Sequence, residues 1–244
     1  MIQDIEPGIL ITVAATAFLQ SIFGIGVLLF GTPLLLLQGF DFLHAIYVLL
    51  PVSILINLFQ IARDYRRLDV SFFRRIVLYA IPFIVLFLLL VRSVSFDLGL
   101  GVGVLLMLVA AKDWTRKAER VVDVILRFEK PYFVVMGSVH GLTNMGGPLL
   151  TAAVLNKGYE KRVTRATVAA AYATFAVFQV GTLVASGYTA DTTLLGLGVY
   201  AATGIVVFLV TETVLYAQID SDVYRKLFAG LMFVAGVLLC VRAF

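Results

Sequence analysis

Apolar runs fill nearly the whole chain, and this feature constrains the fold more than any other. Of the 244 residues, 61% are hydrophobic and only 14% are charged, and the mean hydropathy is +1.01. A soluble domain of this size carries about 25% charged and about 45–50% apolar residues. One globular core cannot enclose so much apolar surface, whereas a lipid bilayer can surround it. The sequence therefore predicts an all-α integral membrane protein.

The apolar segments fall into two length classes. A helix needs roughly 20 residues to cross about 30 Å of hydrocarbon. Six segments approach or reach that length: 43–62, 71–92, 96–112, 164–185, 192–216 and 223–243. Four shorter ones form two pairs that break at glycines: 8–23 with 25–38, and 131–143 with 145–156. Because a helix of about 14 residues covers only ~20 Å, each pair predicts a re-entrant helical hairpin, 8–38 and 131–156, with its tip near mid-membrane.

The second short pair repeats the first. The stretch from Ala17 to Gly26 aligns with the stretch from Gly137 to Gly146, 120 residues later. One residue out of that register, His44-Ala45-Ile46 aligns with Arg165-Ala166-Thr167. A spacing close to half the chain length indicates a duplicated unit of one hairpin and three transmembrane helices. Since each unit crosses the membrane an odd number of times, we expect two inverted repeats.

The distribution of charge tests this inverted arrangement. With the N-terminus outside and each hairpin returning to its own side, all but Arg92 and Arg242 of the 19 Lys and Arg residues lie in inner loops, as the positive-inside rule requires. The predicted organisation is a first repeat at 1–115, a cytoplasmic interfacial linker helix at 116–130 and a second repeat at 131–244. A simple linker helix fits 116–130 equally well.

The hairpin tips are where we expect a ligand to bind. The first tip contains Gly24 and Gly26, and the second contains Asn144, Gly146 and Gly147. Glycine permits a sharp turn and the close approach of a ligand to backbone amides. A helix that begins at each tip would present unpaired N–H groups and about half a positive charge, which suits an anion. We expect the two helix starts to face each other across the midplane, where transporters built from inverted repeats bind substrate.

Neutral polar side chains flank these tips. The candidate binding residues are Gln20, Ser21, Gly24, Gly26, His140, Thr143, Asn144, Gly146 and Gly147, with Ser53, Asn57, Arg165, Thr174 and Gln179 as secondary candidates. Neutral donors can bind an anion without trapping it. The alternative is that these groups only hydrogen-bond helix to helix, and we favour it for four of the secondary candidates, Ser53, Asn57, Thr174 and Gln179.

Three charged or titratable residues leave alternatives open. His140 can take up a proton during transport or stay neutral and donate a hydrogen bond, and we favour the neutral donor. Arg165 can attract anions at the mouth of the second hairpin, although arginines at inner helix ends usually extend to the interface. Glu212 lies near the inner end of its helix, where we expect it to reach water.

Other function classes fit the sequence poorly. The net charge of +4 comes from short basic blocks between apolar runs, without the pattern of a nucleic-acid interface. The single cysteine, Cys240, excludes an intrachain disulfide and a thiol-pair redox mechanism. With two histidines and no paired intramembrane carboxylates, we expect no enzyme activity, no metal site and no cofactor. The sequence leaves a homo-oligomer open.

Both glycine-centred stretches resemble the TauE/SafE family of membrane proteins, the sulfite exporters. The resemblance covers the chain nearly end to end. It is carried by Ala17–Pro33, with Ser21-Ile-Phe-Gly24-Ile-Gly26, and by Gly137–Leu150 followed by Arg165-Ala166-Thr167. The chain departs from the family pattern at Val27 and Leu28, where glycine is common, at Ile46 in place of threonine, and at Asn144 in place of glycine.

The resemblance implies transport of small sulfur-containing anions, such as sulfite or organosulfonates, whereas the residues alone imply only a small anion. We therefore expect a multi-pass exporter of such an anion in the cytoplasmic membrane, with the N-terminus outside and alternating access to a midplane site. The alternatives are a proton-coupled uptake permease for a sulfonate or other organic anion, and an anion channel of the same architecture.

Overall fold

The computed structural model describes residues 5–93 and 128–215, together with 100, 101, 103, 104, 107, 110, 229, 230, 233, 234, 236–238, 240 and 241. Regular structure in this part of the chain is helical throughout, without strands. Its α-helices are α1 (Pro7–Phe23), α2 (Val27–Gln38), α3 (Phe42–Asp64), α4 (Val70–Ser93), α5 (Glu129–Thr143), α6 (Gly147–Leu155), α7 (Lys161–Ala185) and α8 (Leu194–Leu215). A short 3-10 helix, Tyr65–Arg67, follows α3.

Four helices are long and apolar enough to cross a membrane: Phe42–Arg67, Val70–Val91, Arg162–Ala185 and Leu194–Thr213. The helices Pro7–Phe23 and Val27–Gln38 are apolar but shorter. This combination confirms the all-helical membrane fold class that the apolar runs predict.

Three predicted segments lie wholly or largely outside the described residues. They are the helices 96–112 and 223–243 and the linker helix 116–130. The residues that are described within 100–110 and 229–241 are helical, and Glu129 and Lys130 belong to α5.

Left-handed residues end the first helix of each short pair. Gly24 follows α1 with a φ of 75°, and Asn144 follows α5 with a φ of 60°. The N–H of each bonds back to the carbonyl four residues earlier, on Gln20 and His140 respectively, which closes the last helical turn. Glycine adopts this conformation without strain, and asparagine tolerates it better than most residues with a side chain. The chain therefore turns at the two positions that the aligned stretches predict.

Each short pair folds back so that its two ends meet. In the first pair, Gln38 at the end of α2 donates from Nε2 to Thr12 Oγ1 of α1 at 2.8 Å. In the second pair, Lys157, which follows α6, forms an ion pair with Glu129, the first residue of α5. Both pairs are thus hairpins in their local geometry.

The central helices α3 and α7 pack against each other in opposite directions. At one end, His44 near the start of α3 hydrogen-bonds Thr192, beyond the end of α7, at 3.1 Å. At the other end, Glu212 of α8 joins Arg63, near the end of α3, to Arg165, near the start of α7. The helix contacts of the two halves also correspond. The first hairpin helix α1 packs on α8 of the other half, and its counterpart α5 packs on α4. In the same way, α3 contacts α8, and its counterpart α7 contacts α4.

The hairpin tips reach past the middle of the bundle. The carbonyl of Gly24 accepts from Gln60 Nε2 at 3.5 Å, and Gln60 lies four residues, or ~6 Å, before the end of α3. Asn144 bonds Gln179, which lies six residues, or ~9 Å, before the end of α7. Because α3 and α7 are antiparallel, the two tips are offset along the bundle. The two helix starts therefore do not lie directly opposite each other as expected, and their depth in a membrane stays a prediction.

Glu212 anchors the end of the bundle at which the second hairpin opens. It is 3% exposed and accepts a hydrogen bond from Arg165, which is 7% exposed. Arg63 completes the cluster, with Nη1 at 3.4 Å from Glu212 Oε2. The expectations that Glu212 reaches water and that Arg165 extends to the interface are both wrong. Removing two charges from water is costly, and the attraction between a buried pair offsets part of that cost.

Glu212→Ala is expected to destabilise the protein by about 3–5 kcal/mol, because removing one partner of a buried ion pair leaves the other charge buried. Thermal unfolding in detergent measures the loss. Glu160→Ala is the matched control, since Glu160 pairs with Arg67 at 3.4 Å but has a side chain that is 79% exposed. Its loss should be about 1 kcal/mol or less. Equal shifts in the two variants would contradict the anchoring role of Glu212.

Candidate functional site

Equivalent side chains cap the second helix of each hairpin. Gln20 Oε1 accepts from the N–H of Val27, the first residue of α2, at 3.0 Å. His140 Nδ1 accepts from the N–H of Gly146, which precedes α6, at 3.1 Å. These two side chains occupy aligned positions and satisfy amides that would otherwise be orphaned at a helix start. The expectation that the N–H groups at both helix starts are unpaired is therefore wrong for one amide at each tip, because a side chain of the protein accepts from it.

The network at the first tip is closed. Gln20 Nε2 donates to Asn57 Oδ1 at 3.3 Å and to Gln60 Oε1 at 3.5 Å. Asn57 Nδ2 donates to the carbonyl and the hydroxyl of Ser53 at 2.8 and 3.0 Å. Ser21 donates to the Phe18 carbonyl at 2.7 Å and accepts from a threonine of α8 at 2.8 Å. The bond from Gln20 of α1 is the helix-to-helix contact that the sequence favours for Asn57, whereas the bonds to Ser53 come from Asn57 within α3 itself.

A second polar group lies at the other tip, and its amides form a chain across three helices. Asn144 Nδ2 donates to Thr32 Oγ1 of α2 at 2.9 Å. Gln179 Nε2 of α7 donates to Asn144 Oδ1 at 3.2 Å. All three side chains are fully buried. Asn144 therefore ties the second hairpin to the first and to a central helix.

Three buried polar atoms beside this chain lack a hydrogen-bond partner among the described residues. They are His140 Nε2, Gln179 Oε1 and the hydroxyl of Tyr172. The His140 and Tyr172 rings meet edge to face with centroids 5.9 Å apart, and the Gln179 side chain is the hydrogen-bonding group beside the His140 ring. Unpaired buried polar groups are rare in folded proteins and call for an explanation. We call His140, Asn144, Tyr172, Gln179 and Thr32 the second-tip cluster.

The sequence did not indicate Tyr172 as a binding residue. Its hydroxyl rests against Gly147, where an added Cβ would lie only 1.7 Å from the hydroxyl oxygen. Tyr172 is 4% exposed and lies in the middle of an alanine-rich stretch of α7, so its sequence context resembles ordinary packing. The sequence shows that Gly147 has no side chain, but it does not show that the Tyr172 hydroxyl occupies the space beside it.

The other predicted residues contribute locally. Gly26 packs so closely that an added Cβ would lie 2.7 Å from backbone atoms of α1. Thr143 and Thr174 donate to carbonyls of their own helices at 2.7 and 2.8 Å. Arg165 lies 14 residues before Gln179, or ~21 Å along α7, and so belongs to the Glu212 ion pair and not to a tip.

The ring of His140 has a defined tautomer. Because Nδ1 accepts the Gly146 N–H, the proton of a neutral imidazole is on Nε2. His140 is fully buried, which disfavours the charged ring. The second-tip cluster therefore offers two unpaired donors, His140 Nε2–H and the Tyr172 hydroxyl, and one unpaired acceptor, Gln179 Oε1. Within the described residues there is no group of three or more potential metal ligands.

A family model described as Sulfite exporter TauE/SafE matches residues 9–239. The match includes both tips and every member of the second-tip cluster. No curated protein and no solved structure matches the chain.

Asn144→Gly should reduce anion transport by about tenfold or more, since two buried hydrogen bonds worth about 1–3 kcal/mol are lost, and 1.4 kcal/mol is a factor of about ten. Glycine keeps the left-handed turn, so the helix break survives. Anion flux and thermal unfolding are measured in parallel. Asn156→Gly, at the exposed end of α6, is the control and should transport normally. Normal flux in Asn144→Gly would remove Asn144 from the site.

Proposed function

The chain belongs to the TauE/SafE family of sulfite exporters, a family of membrane transporters, and we propose that it moves a small anion, sulfite or an organosulfur anion, outward across the cytoplasmic membrane. The family match over residues 9–239 carries this proposal. The second-tip cluster supports it, because buried hydrogen-bond donors without partners suit an anion that must be bound and then released.

We propose that the chain consists of two inverted repeats, with the N-terminus outside and the second hairpin entering from the cytoplasmic side. Three observations support this arrangement. Gln38 and Glu6 meet residues at the end of the bundle opposite to the Arg63, Arg165 and Glu212 cluster. The helix contacts correspond when the halves are exchanged. In this arrangement, all but Arg92 and Arg242 of the Lys and Arg residues fall in loops on one side.

Transport in this proposal occurs by alternating access to the second-tip cluster. The cluster lies where both hairpins and the central helix α7 meet, since Thr32 is in α2, His140 in α5 and Gln179 in α7. Its members are nearly or fully enclosed. An anion can enter or leave only when a hairpin moves relative to the central helices, which is the rocking motion of transporters with inverted repeats.

An inside-negative potential is sufficient to drive export of an anion. The potential favours movement of one negative charge outward by about 2.3 kcal/mol per 100 mV. An exporter therefore needs no coupling ion, whereas uptake of the same anion would require one.

The proposal is tested by sulfite efflux from proteoliposomes with the membrane potential clamped. The expected result is saturable efflux that increases with an inside-negative potential and disappears in protein-free liposomes. Sulfate, taurine and acetate serve as competitors to identify the preferred anion. Non-saturating flux would instead indicate a channel, and flux that requires an inward proton gradient would indicate an uptake permease. No flux of any anion would contradict the proposal.

A further inference from the structure

Both arms of the second hairpin are fastened to α4 at the mouth of the hairpin. Arg75 of α4 donates from Nε to Glu129 Oε2, at the start of α5, at 3.0 Å, and Glu129 also pairs with Lys157, which follows α6. Phe72 of α4 packs edge to face on Phe133 of α5 with ring centroids 5.7 Å apart, and Lys157 Nζ lies 4.9 Å from the centroid of the same Phe72 ring. The start of α4 therefore holds the two arms of the hairpin together.

Glycines bring α5 against the backbone of α4 farther along. At Gly141 an added Cβ would lie 2.6 Å from the Ile84 carbonyl oxygen, and Gly137, one turn earlier, is packed in the same way on Ala80. Small residues let two membrane helices approach this closely, and the van der Waals contact that results is lost if the helices separate. The contacts advance together along both helices, so α5 lies parallel to α4 from the mouth of the hairpin to its last turn.

A different set of bonds holds the first hairpin and the other long helices together. Glu212 of α8 pairs with Arg63 of α3 and with Arg165 of α7. The closed network of the first tip joins α1 to α3. Hydrogen bonds join both ends of α1 to α8, from the Glu6 N–H to Tyr200 and from Thr211 to Ser21, each at 2.8 Å. We call α1, α2, α3, α7 and α8 the frame, in which α2 packs on α1 and α3.

The second-tip cluster lies on the boundary between the frame and the remaining helices, α4, α5 and α6. Asn144, which follows α5, bonds Thr32 of α2 and Gln179 of α7, so both of its partners belong to the frame. The ring of His140 in α5 likewise contacts the ring of Tyr172 in α7. Helix α4 also packs on α7. Access to the cluster therefore requires movement at this boundary, in which α4 either accompanies the second hairpin or stays with the frame.

We propose that α4, α5 and α6 move as one rigid unit against the frame during transport. Movement of the hairpin alone would break the ion pair and the ring contacts at its mouth, together with the close packing of Gly137 and Gly141. When α4 moves with the hairpin, these contacts are kept, and the helices shear between α4 and α7 and at the second-tip cluster. The moving unit thus combines a helix from the first half of the sequence with the hairpin of the second half. This inference rests on the proposed transport function and identifies the part of the protein that moves.

Distances between pairs of spin labels test which helices move together. Single cysteines are introduced at exposed positions outside the second-tip cluster, in a Cys240→Ser background: Leu86→Cys in α4, Val135→Cys in α5, Val184→Cys in α7 and Ile11→Cys in α1. Gadolinium chelates are attached through maleimides, because sulfite cleaves labels that are linked by a disulfide. Double electron–electron resonance is recorded in proteoliposomes without sulfite and with saturating sulfite, and sulfite efflux is measured on the same labelled variants.

The distance between positions 86 and 184 crosses the boundary and should shift by more than about 2 Å when sulfite is added. The distance between positions 86 and 135 lies within the moving unit and should stay constant. The distance between positions 11 and 184 lies within the frame and is the matched control, which should stay constant as well.

A shift between positions 86 and 135, with a constant distance between 86 and 184, would place α4 in the frame and overturn the inference. Three constant distances in variants that transport sulfite would overturn it too, while leaving the transport function intact. Absence of sulfite efflux from the unlabelled wild-type protein would contradict the proposed function itself, and the inference that rests on it.

Discussion

A helix that breaks inside an apolar medium must find partners for the amides and carbonyls at the break, and the rest of this structure depends on how that requirement is met. At each break the chain turns through a left-handed residue, and a side chain from the preceding helix accepts an amide of the following one. Gln20 performs this role at the first tip and His140 at the second. Both hairpins can therefore be buried deep in the bundle without leaving these backbone groups unsatisfied.

The two hairpins carry two different polar centres. At the first tip, Gln20 and the amides of α3 satisfy one another, so that tip is stable without a guest. At the second tip, a histidine replaces the glutamine and an asparagine replaces Gly24, and unpaired donors result. Two of the differences between the aligned stretches, Gln20 against His140 and Gly24 against Asn144, thus lie at the tips. We propose that the second tip, and not the first, is the binding site.

The sequence predicted the helical breaks because glycine, proline and run length are local signals. It predicted the equivalence of Gln20 and His140 because both lie at the same place in aligned stretches. It did not predict the depth of the tips, the pairing of Glu212 with Arg165, or the position of Tyr172. These depend on how helices far apart in the chain are packed, and a tyrosine in an alanine-rich helix carries no local sign that its hydroxyl faces a glycine of another hairpin. Local signals therefore located the tips, and tertiary packing determined which of their neighbours form a site.

We propose above that the two hairpins open to opposite sides of the membrane. Labelling of engineered cysteines with a membrane-impermeant maleimide tests it most directly, in a Cys240→Ser background that removes the native thiol. Gln38→Cys and Lys157→Cys place one thiol at the mouth of each hairpin, at residues that are exposed. We expect position 38 to be labelled only from outside the cell and position 157 only from the cytoplasmic side. Labelling of both positions from the same side would contradict it.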